Sequence, residues 1–111
     1  MKYSMVMGRF QPLHKGHIAL INNILNEGKN VCVAIKDTEL DENNPYTTEQ
    51  RKATIGEYFW EEINHGTLTI IVVPDIMEVC YGRRVGWGIR EIKLDPEIEA
   101  ISATNIRKEK T

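Results

Sequence analysis

The segment Gly8-Arg9-Phe10-Gln11-Pro12-Leu13-His14-Lys15-Gly16-His17 follows a short apolar run from Tyr3 to Met7. A nearly continuous apolar run of this length is typical of a buried parallel strand. After the segment, apolar residues recur at helical spacing; they are Ile18, Ile21, Ile24 and Leu25. Gly28 stands where a helix C-terminus favours a left-handed residue. The sequence therefore predicts a strand, a loop and a helix that begins near His14.

The same alternation of strand and helix continues along the chain. Val31 to Ile35 predicts a second strand, and the capping-box pair Thr47 and Gln50 predicts a second helix that runs to Gly66. Leu68 to Val73, rich in β-branched residues and followed by Pro74, predicts a third strand. This βαβαβ order predicts an α/β fold, namely a Rossmann-like parallel sheet with helices on both faces.

Beyond Pro74 the pattern is weaker. Ile89 to Leu94 is compatible with a strand or with a turn of helix, and Ile98 to Ile101 with a short final strand. Ser102 or Thr104 is a candidate N-cap for a terminal helix that runs through Arg107.

Length and charge limit the classes of function. The chain has 111 residues, with 14 Lys and Arg against 16 Asp and Glu and a formal net charge of −2. This size predicts one domain over residues 1–111. A balanced charge gives no field that would concentrate nucleic acid or an anionic membrane, and no apolar stretch is long enough to span a bilayer. We therefore expect a cytoplasmic protein with no nucleic-acid or membrane partner.

The histidine pair in the opening segment predicts a phosphate site. His14 and His17 are three residues apart and lie on one face of the first helical turn, at the carboxyl end of a parallel strand, where ligands bind in open sheets. Gly16 between them is costly in a helix, which suggests that a ligand approaches the backbone closely. The helix N-terminus and Lys15 add further donors for phosphate oxygens, so a nucleotide fits this position.

A second candidate phosphate site lies near the end of the chain. Ser102 and Thr104 precede a short amphipathic turn, and Arg107 offers a planar guanidinium to a phosphate. Taken alone, the pattern is more typical of an ordinary N-cap with a solvated arginine than of a phosphate site.

These residues resemble a known family, the nucleotidylyltransferases with a His-x-Gly-His motif. Gly8 to His17 is most similar to the opening of the archaeal-type nicotinamide mononucleotide adenylyltransferases, Gly-Arg-Phe-Gln-Pro-Phe-His-x-Gly-His. Ile101 to Arg107 resembles the C-terminal Ile-Ser-Ser-Thr-x-Ile-Arg signature, with Ala103 in place of the usual serine or glycine. Asn44 to Arg51 is similar to the segment Asn-Pro-Phe-Thr-Ala-Gly-Glu-Arg.

The resemblance implies transfer of a nucleoside monophosphate from a nucleoside triphosphate to a phosphorylated substrate, with release of pyrophosphate and without a covalent intermediate. The preferred pair is ATP and nicotinamide mononucleotide, which gives NAD, with Mg²⁺ bound together with the triphosphate. The implied catalytic residues are His14, Lys15, His17 and Arg107. The implied nucleotide-binding residues are Gly8, Arg9, Phe10, Gly16, Ser102 and Thr104.

Two residues are candidates for the second substrate. Arg51 begins the second helix and is compatible with a phosphate contact or with a solvated side chain. Trp87 lies among glycines and is compatible with stacking on a base or with a core position. The family's Ser-Gly-Asn segment for base recognition and its C-terminal helical extension have no match in this chain, so base and acceptor remain open.

Two alternative functions follow from these departures. The first is a cytidylyltransferase acting on a phosphorylated alcohol such as glycerol phosphate, and the second is a nucleotide-binding module without turnover.

Exposed aromatic candidates such as Tyr58 and Trp60 also lead us to expect a homo-oligomer, since a domain this small gains buried area by self-association.

Overall fold

The computed structural model describes residues 1–83, 86 and 88–94. It contains three strands and three helices in the order β1 (Tyr3–Gly8), α1 (Lys15–Asn26), β2 (Asn30–Asp37), α2 (Thr48–Tyr58), α3 (Trp60–His65) and β3 (Leu68–Pro74). The strands form one parallel sheet in the spatial order β1-β2-β3. The predicted Rossmann-like α/β fold is confirmed. The division into one domain over the whole chain stays a prediction.

The register brings the carboxyl ends of the strands to one edge of the sheet. Gly8 of β1 is paired with Ile35 of β2, which in turn is paired with Val72 of β3. Asp37 and Pro74 form the last pair between β2 and β3. The loops that leave β1 and β2 therefore begin side by side at this edge, which positions them for a shared site.

Both long helices begin with a side-chain cap. His14 is the N-cap of α1, and Thr47 is the N-cap of α2 with Gln50 completing the predicted capping box. The α1 helix ends at Asn26 with Glu27 as its C-cap, and Gly28 follows at φ 79°, in the left-handed region where a side chain would be strained. These ends match the sequence signals closely.

The core lies on one face of the sheet. Its buried residues come from alternating positions of the strands, from one side of α1 and α2, from the β1–α1 loop and from the C-cap of α2; they are Val6, Phe10, Ile21, Ile24, Val31, Val33, Ile35, Ile55, Phe59 and Leu68. Two right-handed crossovers that run in the same direction across a sheet place both helices on the same face. Among the described residues, α1 and α2 accordingly cover one face of the sheet and not both faces as expected, and the terminal helix expected after Ser102 or Thr104 lies outside the described residues.

The structure corrects the expectation of a buried first strand. Tyr3, Met5 and Met7 are exposed while Val6 is buried, so β1 alternates between the two faces. The reason is that β1 lies at the edge of the described sheet and that α1 and α2 pack only against the face that carries Val6.

The second helix is also shorter than predicted. The expected single helix from Thr47 to Gly66 is divided into α2 and α3, because Phe59 leaves the helical conformation with φ −107° and ψ 29°. Phe59 itself is buried in the core, and α3 after it packs against β3.

Residues 88–94 form neither the strand nor the helical turn considered for them. In the described part of the chain, no helix combines the length and the apolar character needed to cross a membrane.

Candidate active site

The site begins with the loop between β1 and α1. Phe10 has a positive φ of 53°, and its side chain is buried in the core beneath the loop. Its ring lies 4.6 Å from the ring of His17, measured between centroids. The buried phenyl group thus anchors the loop to the core.

His14 and His17 cap the helix with one nitrogen each. The main-chain N–H of Gly16 donates to Nδ1 of His14 at 3.0 Å, and the main-chain N–H of His14 donates to Nδ1 of His17 at 3.2 Å. A nitrogen that accepts a hydrogen bond carries no proton, so each neutral imidazole carries its proton on Nε2. The helix start therefore selects the same tautomer for both rings.

The two rings stack side by side. Their centroids are 3.8 Å apart and their planes are inclined by 22°. Neither Nε2 has a protein partner among the residues that the structure describes. The arrangement thus offers two parallel N–H donors at the N-terminus of α1, where the helix dipole also favours an anion.

Burial favours the neutral form of both imidazoles. It lowers the pKa of His17 to about 4, with a smaller contribution from the proximity of His14. Burial also lowers the pKa of His14. A neutral imidazole has no ion-pair partner in the free protein. Its N–H group can therefore donate to a phosphate oxygen without breaking an ion pair.

Positive charge near the pair comes from two exposed side chains. Lys15 is the first residue of α1, and Arg9 follows β1. The guanidinium of Arg9 donates through Nη1 to Oδ1 of Asn44 at 3.4 Å, so it leans toward the loop that joins β2 and α2. Both residues lie at the predicted edge, and their contacts with a nucleotide stay predictions.

Gly8 and Gly16 keep their predicted places at the strand end and in the first turn of α1. A Cβ added at Gly8 would lie 3.5 Å from Cε2 of Phe10, which is ordinary van der Waals contact. The protein packing alone therefore does not demand a glycine at position 8. Its predicted role toward a nucleotide stays a prediction.

Arg51 is not the solvated side chain that one of its two alternatives described, and its candidate contact with a phosphate of the second substrate stays a prediction. Its side chain is neither solvated nor directed outward, because it is only 2% exposed and its guanidinium donates to oxygens of the protein. Sequence reasoning missed the spacing that signals this burial. Arg51, Ile55 and Phe59 are each four residues apart and share one buried stripe of the helix.

Gln11 is a site residue to which sequence reasoning assigned no role. It is 1% exposed, although glutamine usually lies at the surface. Its amide bonds to the main chain of Tyr46, 35 residues away. No periodicity in the sequence signals this contact, since it joins two loops.

Four predicted site residues lie outside the described residues. They are Trp87, Ser102, Thr104 and Arg107. Their proposed contacts with the base and the phosphates stay predictions.

The carboxylates at the strand ends have local partners. Asp37 accepts a hydrogen bond from Oγ1 of Thr48 at 3.2 Å, and Asp75 lies 3.4 Å from Nζ of Lys36. Within residues 1–83, 86 and 88–94, no group of three His, Cys, Asp or Glu side chains is arranged to hold a metal ion.

Comparison with known proteins gives a family match for just over half of the chain. Residues 5–65 match the model of the family described as cytidylyltransferase-like. This range includes the β1–α1 loop, the histidine pair and the first two helices.

Several curated proteins are similar to this chain, and each is called a nicotinamide-nucleotide adenylyltransferase. The protein of Thermoplasma acidophilum is 32% identical over 63 residues, which are 55% of this chain and 35% of the relative. Those of Thermococcus sibiricus and Thermococcus kodakarensis are each 30% identical, over 63% and 68% of this chain and 39% and 42% of the relatives. The chain thus spans less than half the length of these relatives. No solved structure matches it.

Proposed function

Since this chain belongs to the cytidylyltransferase-like family, we propose that it is a nucleotidyltransferase that transfers the adenylyl group of ATP to nicotinamide mononucleotide. The acceptor phosphate oxygen attacks the α-phosphorus of ATP, the bond from that phosphorus to the bridging oxygen breaks, and pyrophosphate leaves. The products are NAD and pyrophosphate. The names of the archaeal relatives support the choice of ATP and this acceptor.

The observation that carries the proposal is the pair of Nε2–H groups on His14 and His17. Negative charge accumulates on the phosphoryl oxygens in the transition state, so fixed donors stabilise it more than they stabilise the bound substrate. The rings are held by the α1 cap in the required tautomer before any ligand arrives. No protein nucleophile is needed for this reaction, since the acceptor phosphate attacks directly.

The other site residues supply charge and shape. Lys15 and Arg107 are proposed to bind the β and γ phosphates, with Ser102 and Thr104 donating to phosphate oxygens. Gly8, Arg9, Phe10 and Gly16 are proposed to border the nucleotide, and Trp87 is a proposed contact for the second substrate. Mg²⁺ is proposed to enter bound to the triphosphate and to neutralise part of its charge.

The test is pyrophosphate release with two substrate pairs measured in parallel. We expect turnover with ATP and nicotinamide mononucleotide, and at most a trace with CTP and glycerol phosphate. Turnover with only the second pair would replace the adenylyltransferase by a cytidylyltransferase. Binding of ATP by calorimetry with no turnover of either pair would leave a nucleotide-binding module, and this outcome would refute the enzymatic proposal.

We also propose that the protein self-associates. Tyr58, Trp60 and Met5 are each more than half exposed, so contact between copies of the chain at these residues would remove apolar surface from water. Sedimentation at assay concentration is the test. A single monomeric species would overturn this part of the proposal.

A further inference from the structure

Two buried polar side chains, Gln11 and Arg51, join the loops at the carboxyl edge of the sheet. They are the two buried polar or charged residues in the described part of the chain. Both bond to main-chain groups of segments distant in sequence. A buried polar group is costly unless it is paired, so the bonds that these residues make determine what they contribute.

Gln11 forms a two-way hydrogen bond with the main chain of Tyr46. Its Nε2 donates to the carbonyl oxygen of Tyr46 at 3.1 Å, and its Oε1 accepts from the N–H of Tyr46 at 3.0 Å. A primary amide presents a donor and an acceptor side by side, which matches the N–H and the carbonyl oxygen of one residue. The β1–α1 loop is thereby tied to the residue just before the N-cap of α2.

Arg51 ties the same two loops from the other side. Its Nη1 donates to the carbonyl oxygen of Arg9 at 2.8 Å and to that of Lys36 at 2.7 Å. Its Nε donates to the carbonyl oxygen of Thr47 at 3.2 Å. One guanidinium thus holds the loop after β1, the end of β2 and the start of α2 together.

The charge of Arg51 is balanced only indirectly. Among the described residues, no carboxylate lies within ion-pair distance of its guanidinium. Its Nη2 donates to Oγ1 of Thr48, and this hydroxyl donates to Oδ1 of Asp37. A buried charge has a desolvation cost. If position 51 served only to anchor α2 to the core, an apolar residue on the stripe with Ile55 would therefore do so as well.

We propose that Gln11 and Arg51 are positioning residues that fix the segment carrying His14 and His17 against the β2–α2 loop. This inference rests on the proposed function, since the distance between these two loops then sets the alignment of the reacting phosphates. His14 is only three residues beyond Gln11, so a shift of the loop moves the imidazole pair with it. A displacement of about 1 Å is enough to lower a rate by about a hundredfold.

The experiment compares Gln11→Glu and Arg51→Lys with the exposed control Lys52→Gln. Glutamate matches glutamine in size but cannot donate to the Tyr46 carbonyl when ionised, and lysine keeps the charge of Arg51 without its planar set of donors. We call the hydrogen bonds of Gln11 and Arg51 that join the two loops the clamp. Lys52→Gln removes one positive charge next to Arg51 and leaves the clamp intact. All variants are measured at a temperature where circular dichroism shows them folded.

We expect each clamp variant to lower kcat by about ten- to a hundredfold while the dissociation constant for ATP changes by less than about threefold. The double variant should lose little more than either single variant, because both residues hold the same pair of loops. The control should match the parent protein. A kcat that stays within about twofold in folded variants, or losses that multiply, would overturn the inference.

A second readout does not depend on catalysis. Without nucleotide, hydrogen exchange of residues 9–17 should accelerate in both clamp variants and not in the control. If the parent protein proves inactive, the proposed function fails and this measurement still decides the positioning role. Unchanged exchange in residues 9–17 would refute that role even in an active enzyme. If Arg51→Lys does not fold, Gln11→Glu carries both measurements.

Discussion

The ring of Phe10 lies 4.6 Å from that of His17, and the phenyl side chain is itself part of the buried core. The candidate active site is therefore continuous with the hydrophobic core, since one imidazole borders the apolar interior. This contact contributes to the burial that lowers the pKa of His17.

The first prediction concerns the pH dependence of stability. The pKa of His17 is about 4 in the folded chain and about 6.5 in the unfolded chain, so between these values the unfolded state binds more protons. The contribution of neutral His17 to the free energy of unfolding should be fully present above pH 6.5. It should be lost as the pH is lowered toward 4, which lowers the free energy of unfolding by as much as about 3 kcal/mol. Urea titrations across this range measure the slope.

Replacement of His17 by Asn should flatten this slope between pH 6.5 and 4. The matched variant His65→Gln removes a histidine that is exposed at the end of α3, so it shows what loss of a histidine elsewhere does to the slope. An equal slope in the parent protein and in His17→Asn would contradict the assignment to His17.

The second prediction separates the two functions of His14. His14→Ala removes the N-cap and should lower the free energy of unfolding by about 1 kcal/mol, whereas His14→Asn keeps a capping oxygen and should unfold close to the parent protein. Both variants lose the Nε2 donor and should lower turnover by about a hundred- to a thousandfold. Denaturant melts and pyrophosphate assays on the same samples test this. Full activity in His14→Asn would show that the ring acts only as a cap.

The third prediction concerns Thr38, which follows β2. Its hydroxyl is buried and has no hydrogen-bond partner among the described residues. Thr38→Val removes the unpaired group at nearly constant volume, so we expect stability to stay equal or to rise by up to about 1 kcal/mol. The denaturant midpoint measures the change. A clear loss of stability would mean that the hydroxyl is hydrogen-bonded in solution.

The fourth prediction tests the core at the junction of α2 and α3. Phe59 is 1% exposed, and its neighbour Trp60 is 57% exposed. Phe59→Ala should lower the free energy of unfolding by about 3–5 kcal/mol, and Trp60→Ala by less than about 0.5 kcal/mol. Thermal and urea unfolding compare the two. Equal losses would contradict the placement of the core at this junction.

Local signals predicted most of the described fold. Gly28 and the Thr47–Gln50 capping box marked helix ends correctly because these interactions lie within a few residues of each other. The break at Phe59 was missed because its position in the core, rather than a proline or a capping residue, accompanies the end of α2. The exposure of Met5 was missed since it depends on which face the helices cover.

The candidate site was predictable to a smaller extent. The spacing of His14 and His17 indicated a shared face, and the structure brings the two rings together. The tautomer and the clamp were not predictable, since both follow from hydrogen bonds to main-chain atoms whose positions only the folded loops define. Gln11 and Tyr46 are 35 residues apart, and no pattern within either segment requires their contact.

The use of His14 as a helix cap has a further consequence for how this position tolerates change. Serine, asparagine or aspartate would begin α1 at least as well, so selection for stability alone has no reason to keep an imidazole there. Under the proposed function, the imidazole of His14 supplies an Nε2 donor that the helix itself does not need. Replacement of His14 by serine, asparagine or aspartate should therefore cost little free energy of unfolding, yet it would remove the imidazole donor that the proposed function requires.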